Sequence, residues 1–305
     1  MGTPEAAVPT LERCLADGHE LVAVWTQPDR PAGRGHKLAP PPVKEFALAH
    51  QLNVLQPEKI KTPEALAQFA SHDADVAVVV AYGRILPPAF LRAPRRGCIN
   101  VHFSLLPKYR GAAPVNWAIV RGESETGVTT MKMDEGLDTG PILLQRAAEI
   151  GERETATELM ARLSLLGADL LSETLQHLEE LNPRAQDDEL ATFAPMLRRE
   201  DGLLDWSQTA TEIERRVRGL QPWPNAYTML DARRLVIWRA SVRDAREAST
   251  YSPGEIMEAH GESLVVRCGG ETALALELVQ PEGKRQMSVR DFLNGARVEK
   301  GDRLG

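Results

Sequence analysis

Asn100 and His102 are the side chains of this sequence best placed to act together on one substrate. They stand two positions apart in the run CINVH at 98–102, which is typical of a buried strand, and side chains two apart on a strand point to the same face of the sheet. An amide and an imidazole that share a pocket can donate hydrogen bonds to developing negative charge or move a proton. The spacing therefore predicts one shared polar site.

Asp138 is the third candidate, held between glycines in the segment GLDTG at 136–140. In open α/β sheets, reactive groups collect at the carboxyl ends of strands, where loops leave the sheet. We therefore expect Asn100, His102 and Asp138 to meet at that edge. Taken singly, His102 is equally well interpreted as a satisfied core histidine and Asp138 as a plain turn residue.

Length and composition favour a globular protein of two domains, with 305 residues and 43% hydrophobic residues. The three cysteines are far apart and odd in number, so they indicate neither a disulfide framework nor a zinc site, and a reducing cytoplasm fits best. No apolar run approaches the roughly 20 residues that span a bilayer, and no signal core begins the sequence. The net charge of −7 argues against a protein that coats nucleic acid through bulk charge.

The acidic excess lies entirely in the first two thirds of the chain, since residues 205–305 carry 15 basic and 15 acidic side chains. Arginines in this neutral part could present a basic face to a polyanion, and a solvated helix surface explains them equally well. These arginines are Arg215, Arg216, Arg218, Arg233 and Arg234.

Alternating strand and helix patterns predict βαβ units in the first part of the chain. Residues 21–26 and 75–81 are typical of strands buried on both faces of a parallel sheet, and residues 97–103 and 127–133 continue the sheet. A long amphipathic helix is predicted from about 156 to 181, with Thr155 and Glu158 as a capping box at its start.

A second domain is predicted after a polar segment without periodicity. We assign residues 1–183 to a first domain, 184–203 to a linker and 204–305 to a second domain. The second domain opens with a helix that Thr209 and Glu212 cap, and short strand patterns follow near 226–231, 234–240, 254–260, 263–267 and 272–279. Five short strands favour a small barrel such as an OB-fold.

The ordered motifs resemble those of the methionyl-tRNA formyltransferase family across nearly the whole chain. They are Gly2-Thr3-Pro4, TQPDRPAGRG at 26–35, AYGRILP at 81–87, NVH at 100–102, SLLP at 104–107, RGAAP at 110–114 and GLDTG at 136–140. The resemblance implies a Rossmann-like α/β formyltransferase domain with a C-terminal OB-like β-barrel. It also implies a cytoplasmic enzyme of bacterial type that moves the formyl group of 10-formyltetrahydrofolate to the α-amino group of methionine on initiator tRNA, for translation initiation.

The resemblance assigns roles to individual residues. Asn100 and His102 would donate hydrogen bonds to the tetrahedral oxyanion, and Asp138 would hold the imidazole ring and accept the departing proton. No covalent enzyme intermediate and no metal is expected. The expected folate contacts are Ser104, Leu105, Leu106, Pro107, Tyr82, Gly83 and Leu86. Arg34 and Lys37, in a basic loop, match positions that reach the tRNA acceptor end, and nothing in the sequence demands more than a monomer.

Two features depart from the family pattern. Phe103 stands where a small residue is more usual, so it either reshapes the folate pocket or faces away from it. The Gly2-Thr3-Pro4 turn lacks the buried strand expected before it, which suggests that Met1 is an internal methionine and that the true start lies upstream. If the sequence is complete, we expect the protein to have poor stability.

Three other functions are weaker interpretations. Folate-dependent formyltransferases that act on glycinamide ribonucleotide or on amino sugars would share the Asn, His and Asp set. A non-catalytic RNA-binding protein would need exposed aromatic residues, yet aromatics are only 5% of the chain. A dinucleotide-dependent oxidoreductase would need a glycine-rich fingerprint after its first strand, which this chain lacks.

Overall fold

A computed structural model of the chain describes residues 1–32, 37–243 and 250–305, with the side chains of Ala32 and Lys37 outside the description. The chain divides into two compact units. The first comprises Met1–Pro114, Glu125–Glu149 and Met160–Ala194, and the second comprises Val115–Ser124, Ile150–Leu159 and Pro195–Gly305. Among the described helices, none combines the length and apolar character needed to cross a bilayer.

The first unit contains short strands and helices that largely follow the predicted βαβ order. Its strands are β1 (Val24–Trp25), β2 (Arg30–Ala32), β3 (Lys37–Ala39), β4 (Val54–Leu55), β5 (Ala77–Val79), β6 (Cys98–His102), β7 (Arg110–Gly111), β8 (Glu125–Lys132), β9 (Ile142–Glu149) and β10 (Phe193–Ala194). Its helices are α1 (Val8–Ala16), α2 (Pro42–Ala49), α3 (Pro63–Ala70) and α4 (Pro88–Arg92). Helices α5 (Pro114–Arg121) and α6 (Ala156–Gln176) each belong to both units.

The sheet that carries Asn100 and His102 is mixed. Its order is β5-β6-β8-β9, in which β5 and β6 are parallel while β8 runs antiparallel to both β6 and β9. The prediction that 127–133 forms a strand is confirmed, but β9 was not predicted, and the hairpin it makes with β8 replaces a parallel crossover. Buried aromatic and aliphatic side chains, including Trp25, Phe69 and Phe90, form the core beside β5.

Met1 and Gly2 lie where the sequence led us to expect a strand. Gly2 pairs with Val80 in parallel and donates its N–H to the carbonyl of Trp25 at 3.0 Å, and the Met1 carbonyl accepts from Val80 N–H at 2.9 Å. Burial lowers the pKa of the Met1 amino group to about 6. A cavity of about 830 Å³ adjoins these residues, between the 21–25 and 74–78 segments.

The second unit is an antiparallel sheet with two of its helices packed on it. Its strands are β11 (Tyr227–Leu230), β12 (Arg233–Arg243), β13 (Ile256–His260), β14 (Ser263–Arg267), β15 (Ala273–Pro281) and β16 (Met287–Ser288), and its helices are α7 (Ala210–Gly219) and α8 (Val289–Gly295). The order β11-β12-β15-β14-β13, with β16 on β15, confirms the five predicted strands. Thr209 and Glu212 form the predicted capping box of α7. Apolar side chains such as Ile213, Ile237 and Leu276 form the core of this unit.

Candidate active site

Strand β6 presents Asn100 and His102 on one face. The two side chains are 9% and 6% exposed, and their cross-strand partners are Met131 and Thr129 on β8. Because side chains alternate along a strand, Phe103 belongs to the opposite face, where it lies against Gly167 of α6. Of the two expectations for Phe103, the structure therefore supports the side chain facing away from the Asn100 and His102 face.

A hydrogen bond to a main-chain carbonyl fixes the His102 ring. Nε2 lies 3.0 Å from the oxygen of Tyr109. Because a carbonyl only accepts, Nε2 must carry the proton, which leaves Nδ1 as the nitrogen that can exchange protons. Nδ1 lies 3.8 Å from Oδ2 of Asp138.

Asp138 reaches His102 by a route that the sequence did not predict. Lys132, at the carboxyl end of β8, pairs with Ile99 near the amino end of β6, because the two strands are antiparallel. The structure nevertheless brings Asp138 to His102, although the end of β8 that leads to Asp138 lies at the other edge of the sheet. The 133–141 loop folds back along the sheet instead and brings the Asp138 carboxylate to the imidazole.

Main-chain and side-chain donors hold Asp138 in this position. Oδ2 accepts the N–H of Gly111 at 2.8 Å, and the residue has a φ of 55°. The Gln186 amide donates to the carbonyls of Asp138 at 2.8 Å and Gly140 at 2.7 Å, while its oxygen accepts from the buried Arg110 guanidinium. At 3.8 Å from Nδ1, the carboxylate is within ion-pair range of a protonated ring but beyond a direct hydrogen bond. Tyr109, rather than Asp138, therefore orients the ring.

The Asn100 carboxamide has no hydrogen-bond partner among the described residues, although the side chain is 91% buried. Its amide atoms are not among the fully buried, unpartnered polar atoms, so the exposed 9% leaves them open to water or a ligand. Asn100 is therefore available to donate two N–H groups to a bound molecule.

The 104–107 loop is held by two residues of the neighbouring hairpin. The Ser104 hydroxyl donates to the Lys108 carbonyl at 2.6 Å, and its own carbonyl accepts from Thr129 Oγ1 at 2.6 Å. Thr129 also accepts the Leu106 N–H at 3.1 Å, and Gln145 donates to the Leu106 carbonyl at 2.8 Å. Sequence reasoning missed Thr129, Gln145 and Gln186, because each acts through a long-range contact that has no local pattern.

The segment after β5 was expected to offer its main chain to a ligand, and its aromatic side chain is buried in the structure. Tyr82 and Leu86 are 2% and 4% exposed and belong to the core, and burial raises the pKa of the Tyr82 phenol. Gln27 donates to the carbonyls of Tyr82 at 2.9 Å and Gly83 at 3.2 Å. Ile85, which was not singled out from sequence, is 73% exposed and is the apolar side chain that this segment offers to a ligand.

The side chains of the two residues expected to reach tRNA lie outside the described part of the structure. Arg34 lies outside the described residues, and Lys37 is described only by its backbone, which pairs with Ala32 in the β2–β3 hairpin.

Two of the three helix α7 arginines are engaged within the second unit. Arg218 pairs with Glu214 at 2.6 Å, and Arg216 donates to the Asp201 carbonyl, while burial lowers the pKa of Arg216. Arg216 and Arg218 therefore do not contribute to a free basic face, which the charge distribution in the sequence had left open.

Comparison with known proteins gives consistent family matches over both parts of the chain. Residues 1–175 match the family model described as "Formyl transferase", and residues 196–297 match "Formyl transferase, C-terminal domain". A methionyl-tRNA formyltransferase of Geobacter metallireducens is 51% identical, over 100% of this chain and 97% of the relative. One from Ruminiclostridium cellulolyticum is 45% identical, over 100% of this chain and 98% of the relative.

Solved structures share the fold at low sequence identity. An N-formyltransferase from Helicobacter canadensis, in complex with folinic acid and dTDP-3-aminofucose, matches with a TM-score of 0.65 and 18% identity, over 92% of this chain and 97% of that chain. HypX from Aquifex aeolicus, in complex with tetrahydrofolic acid, matches with a TM-score of 0.59 and 17% identity, over 86% and 47% of the two chains. These structural similarities show the shared fold alone. The sequence identities near 50% over the full chain show the family. This chain belongs to the methionyl-tRNA formyltransferase family.

Proposed function

We propose that the protein transfers the formyl group of 10-formyltetrahydrofolate to the α-amino group of methionine esterified to initiator tRNA, in the cytoplasm of a bacterium. Family membership over the full chain supports the reaction and both substrates. The observation that carries the chemical assignment is the unpartnered carboxamide of the largely buried Asn100, on the same strand face as an oriented His102.

The first step is attack of the methionine amine on the formyl carbon. A C–N bond forms, the formyl C=O becomes a tetrahedral oxyanion, and stabilisation of that charge lowers the barrier. Asn100 supplies the donor, because its N–H groups are not used by the described residues.

The second step is collapse of the intermediate. The bond from the formyl carbon to N10 of the folate breaks, the proton lost by the attacking nitrogen moves to a base, and N10 receives a proton as it leaves. His102 Nδ1 is the base that the tautomer leaves available, and the Asp138 carboxylate at 3.8 Å favours the imidazolium that results. Because Nδ1 and Asp138 Oδ2 are 3.8 Å apart, the proton passes between them through water, and the same relay returns a proton to N10 as the folate leaves.

Other residues of the chain bind the folate and the tRNA. The 104–107 loop and the main chain of 82–86, with Ser104, Leu105, Leu106, Pro107, Tyr82, Gly83 and Leu86, contact the folate. Ile85 adds an exposed apolar surface for the ring. Arg34 and Lys37 contact the acceptor end of the tRNA, and residues 204–305 form an OB-like barrel that helps to hold it. A monomer suffices for all of these roles.

A transfer assay with several acceptors tests the proposal. The protein is incubated with 10-formyltetrahydrofolate and methionyl-initiator tRNA, glycinamide ribonucleotide or a dTDP-amino sugar, and formylated product is quantified. We expect product with the tRNA alone. Product with the ribonucleotide or the sugar, and none with the tRNA, would replace the acceptor while retaining the folate chemistry.

A further inference from the structure

Trp223 differs from the other four tryptophans of the chain, all of which lie among the described residues. Trp25, Trp117, Trp206 and Trp238 each donate the indole N–H to a protein acceptor, at distances between 2.8 and 3.3 Å. Trp223 has no such partner among the described residues, and its side chain is 54% exposed. A large aromatic ring left in solvent with a free donor indicates a binding surface rather than a core position.

The ring borders a cavity of about 410 Å³ within the second unit, which lies in the range of about 300–1,000 Å³ typical of ligand sites. We call it the Trp223 cavity. Its lining residues are Arg199, Trp223, Pro224, Asn225, Arg234, Val236, Gln280, Pro281, Glu282 and Gly283.

The backbone that carries Trp223 is held before any ligand arrives. Prolines precede and follow it, and Asn225 closes the turn by donating its side-chain amide to the Pro222 carbonyl at 2.8 Å and its N–H to the Leu220 carbonyl at 2.9 Å. The Pro224 carbonyl accepts from the Arg234 guanidinium at 3.0 Å. A ligand that stacks on this ring therefore loses little binding free energy to ordering the protein.

The polar lining combines two cations with one carboxylate. Arg199 is exposed, and the Arg234 guanidinium lies 4.0 Å above the centre of the Tyr227 ring, with its Nε buried and unpartnered. The Glu282 carboxylate lies 3.3 Å from the Arg234 main-chain nitrogen. Guanidinium groups bind phosphate oxygens, and a carboxylate accepts hydrogen bonds from base amino groups. The combination suits a nucleotide better than an isolated anion, which Glu282 would repel.

We propose that the Trp223 cavity takes up an unpaired nucleotide of the tRNA, with the base stacked on the indole and the adjacent phosphate bound by Arg199. This inference rests on the proposed function for the identity of the RNA. Stacking on an aromatic face is available to every base, so the cavity adds affinity for single-stranded or loop nucleotides without requiring one sequence.

Substitution of Trp223 tests the stacking contact. The full-length variants are Trp223→Ala, Trp223→Phe and, as a control at another exposed apolar position of the same unit, Val242→Ala, which is 47% exposed in the wild type. The readouts are the dissociation constant for uncharged initiator tRNA, the KM for the methionyl-tRNA, kcat at saturating tRNA, and the melting temperature.

We expect Trp223→Ala to raise the dissociation constant and KM about 10-fold while kcat is retained, because stacking of one base is worth about 5- to 150-fold in affinity. Trp223→Phe should stay within about 3-fold of the wild type, and Val242→Ala should not change. Arg199→Gln should weaken tRNA binding and reduce the slope of the logarithm of the binding constant against the logarithm of salt concentration by about one.

Unchanged tRNA affinity in a folded Trp223→Ala variant would overturn the proposal, and so would equal losses in the alanine and phenylalanine variants. Failure of the proposed function has a different signature. A wild-type protein that binds tRNA through Trp223 but formylates no methionyl-tRNA would retain the cavity assignment and reject the reaction.

Discussion

The surroundings of Asn100 and His102 differ from the Trp223 cavity in how much freedom the structure leaves to the side chains. At the first site, both side chains are more than 90% buried, the Tyr109 carbonyl orients the His102 ring, and Gln186, distant in sequence, holds the Asp138 loop. At the cavity, the backbone is fixed while the aromatic ring stays exposed. In the proposed reaction, the oriented buried groups serve the chemical step, whereas the rigid exposed ring serves tRNA binding. Variants of the two regions should therefore change different kinetic constants.

Removal of the Asn100 or His102 side chain should have the largest effect. We expect Asn100→Ala to lower kcat about 100- to 1,000-fold, the usual loss for one oxyanion donor, and His102→Ala to lower it at least as much. The KM for the tRNA should stay within about 3-fold. Steady-state kinetics with varied methionyl-tRNA measures both constants, and circular dichroism checks folding. A large rise in KM with unchanged kcat would abolish the distinction between the two regions.

Asp138→Asn should lower kcat about 100-fold, because the amide oxygen can still accept the Gly111 N–H while the negative charge near His102 is lost. Asp138→Ala, which also loses the hydrogen bond, serves as the comparison. If Asp138→Asn kept wild-type kcat while Asp138→Ala lost it, the carboxylate would be a turn-forming group alone. The chemical role proposed for its charge would then be withdrawn.

Gln186→Ala should lower kcat about 10-fold and alter the pH profile of kcat, since Gln186 holds the carbonyls of Asp138 and Gly140 but contacts no reacting group in our account. The matched control is Gln176→Ala on α6, whose amide donates to Ser172 away from Asp138. The pH profile of kcat distinguishes a residue that positions Asp138 from one that only supports the fold. Loss of stability with an unchanged profile would show that Gln186 supports the fold without tuning the site.

The smallest effects concern the three buried cysteines, which no step of the mechanism uses. Burial raises the pKa of Cys14 and Cys98 from 9.0 to about 11 and that of Cys268 to about 12. These thiols should not react with Ellman's reagent at pH 8 until the protein unfolds. Since the unfolded thiols ionise first, the folded state should lose stability as pH rises from about 9 to 11, measured as a falling melting temperature. Rapid titration of a thiol in the folded protein would contradict the burial.

Local patterns predicted the features that depend on neighbours in sequence. The two-residue period placed Asn100 and His102 on one face, and the capping pairs of Thr155 and Thr209 fixed two helix starts. The five strands of the second unit were also predicted. Alternation cannot reveal strand direction, so the antiparallel turn of β8 and the path of Asp138 were missed.

The features that the sequence did not predict depend on contacts between residues far apart in the chain. Gln186 stands 48 residues from Asp138, in a segment that looked like a linker, and its hydrogen bonds depend on the tertiary fold. Likewise, Trp223 differs from the other tryptophans in its exposure and its unpaired N–H, neither of which follows from the prolines that flank it in sequence.

In the proposed reaction, Asn100 acts on the formyl group of a folate donor while methionyl-tRNA is bound. Single-turnover transfer from 10-formyltetrahydrofolate to saturating methionyl-initiator tRNA tests this role, with wild type and Asn100→Ala compared under the same conditions. We predict rapid transfer by the wild type and a rate constant at least 100-fold lower for the folded variant. Equal single-turnover rates for the two proteins would contradict the account.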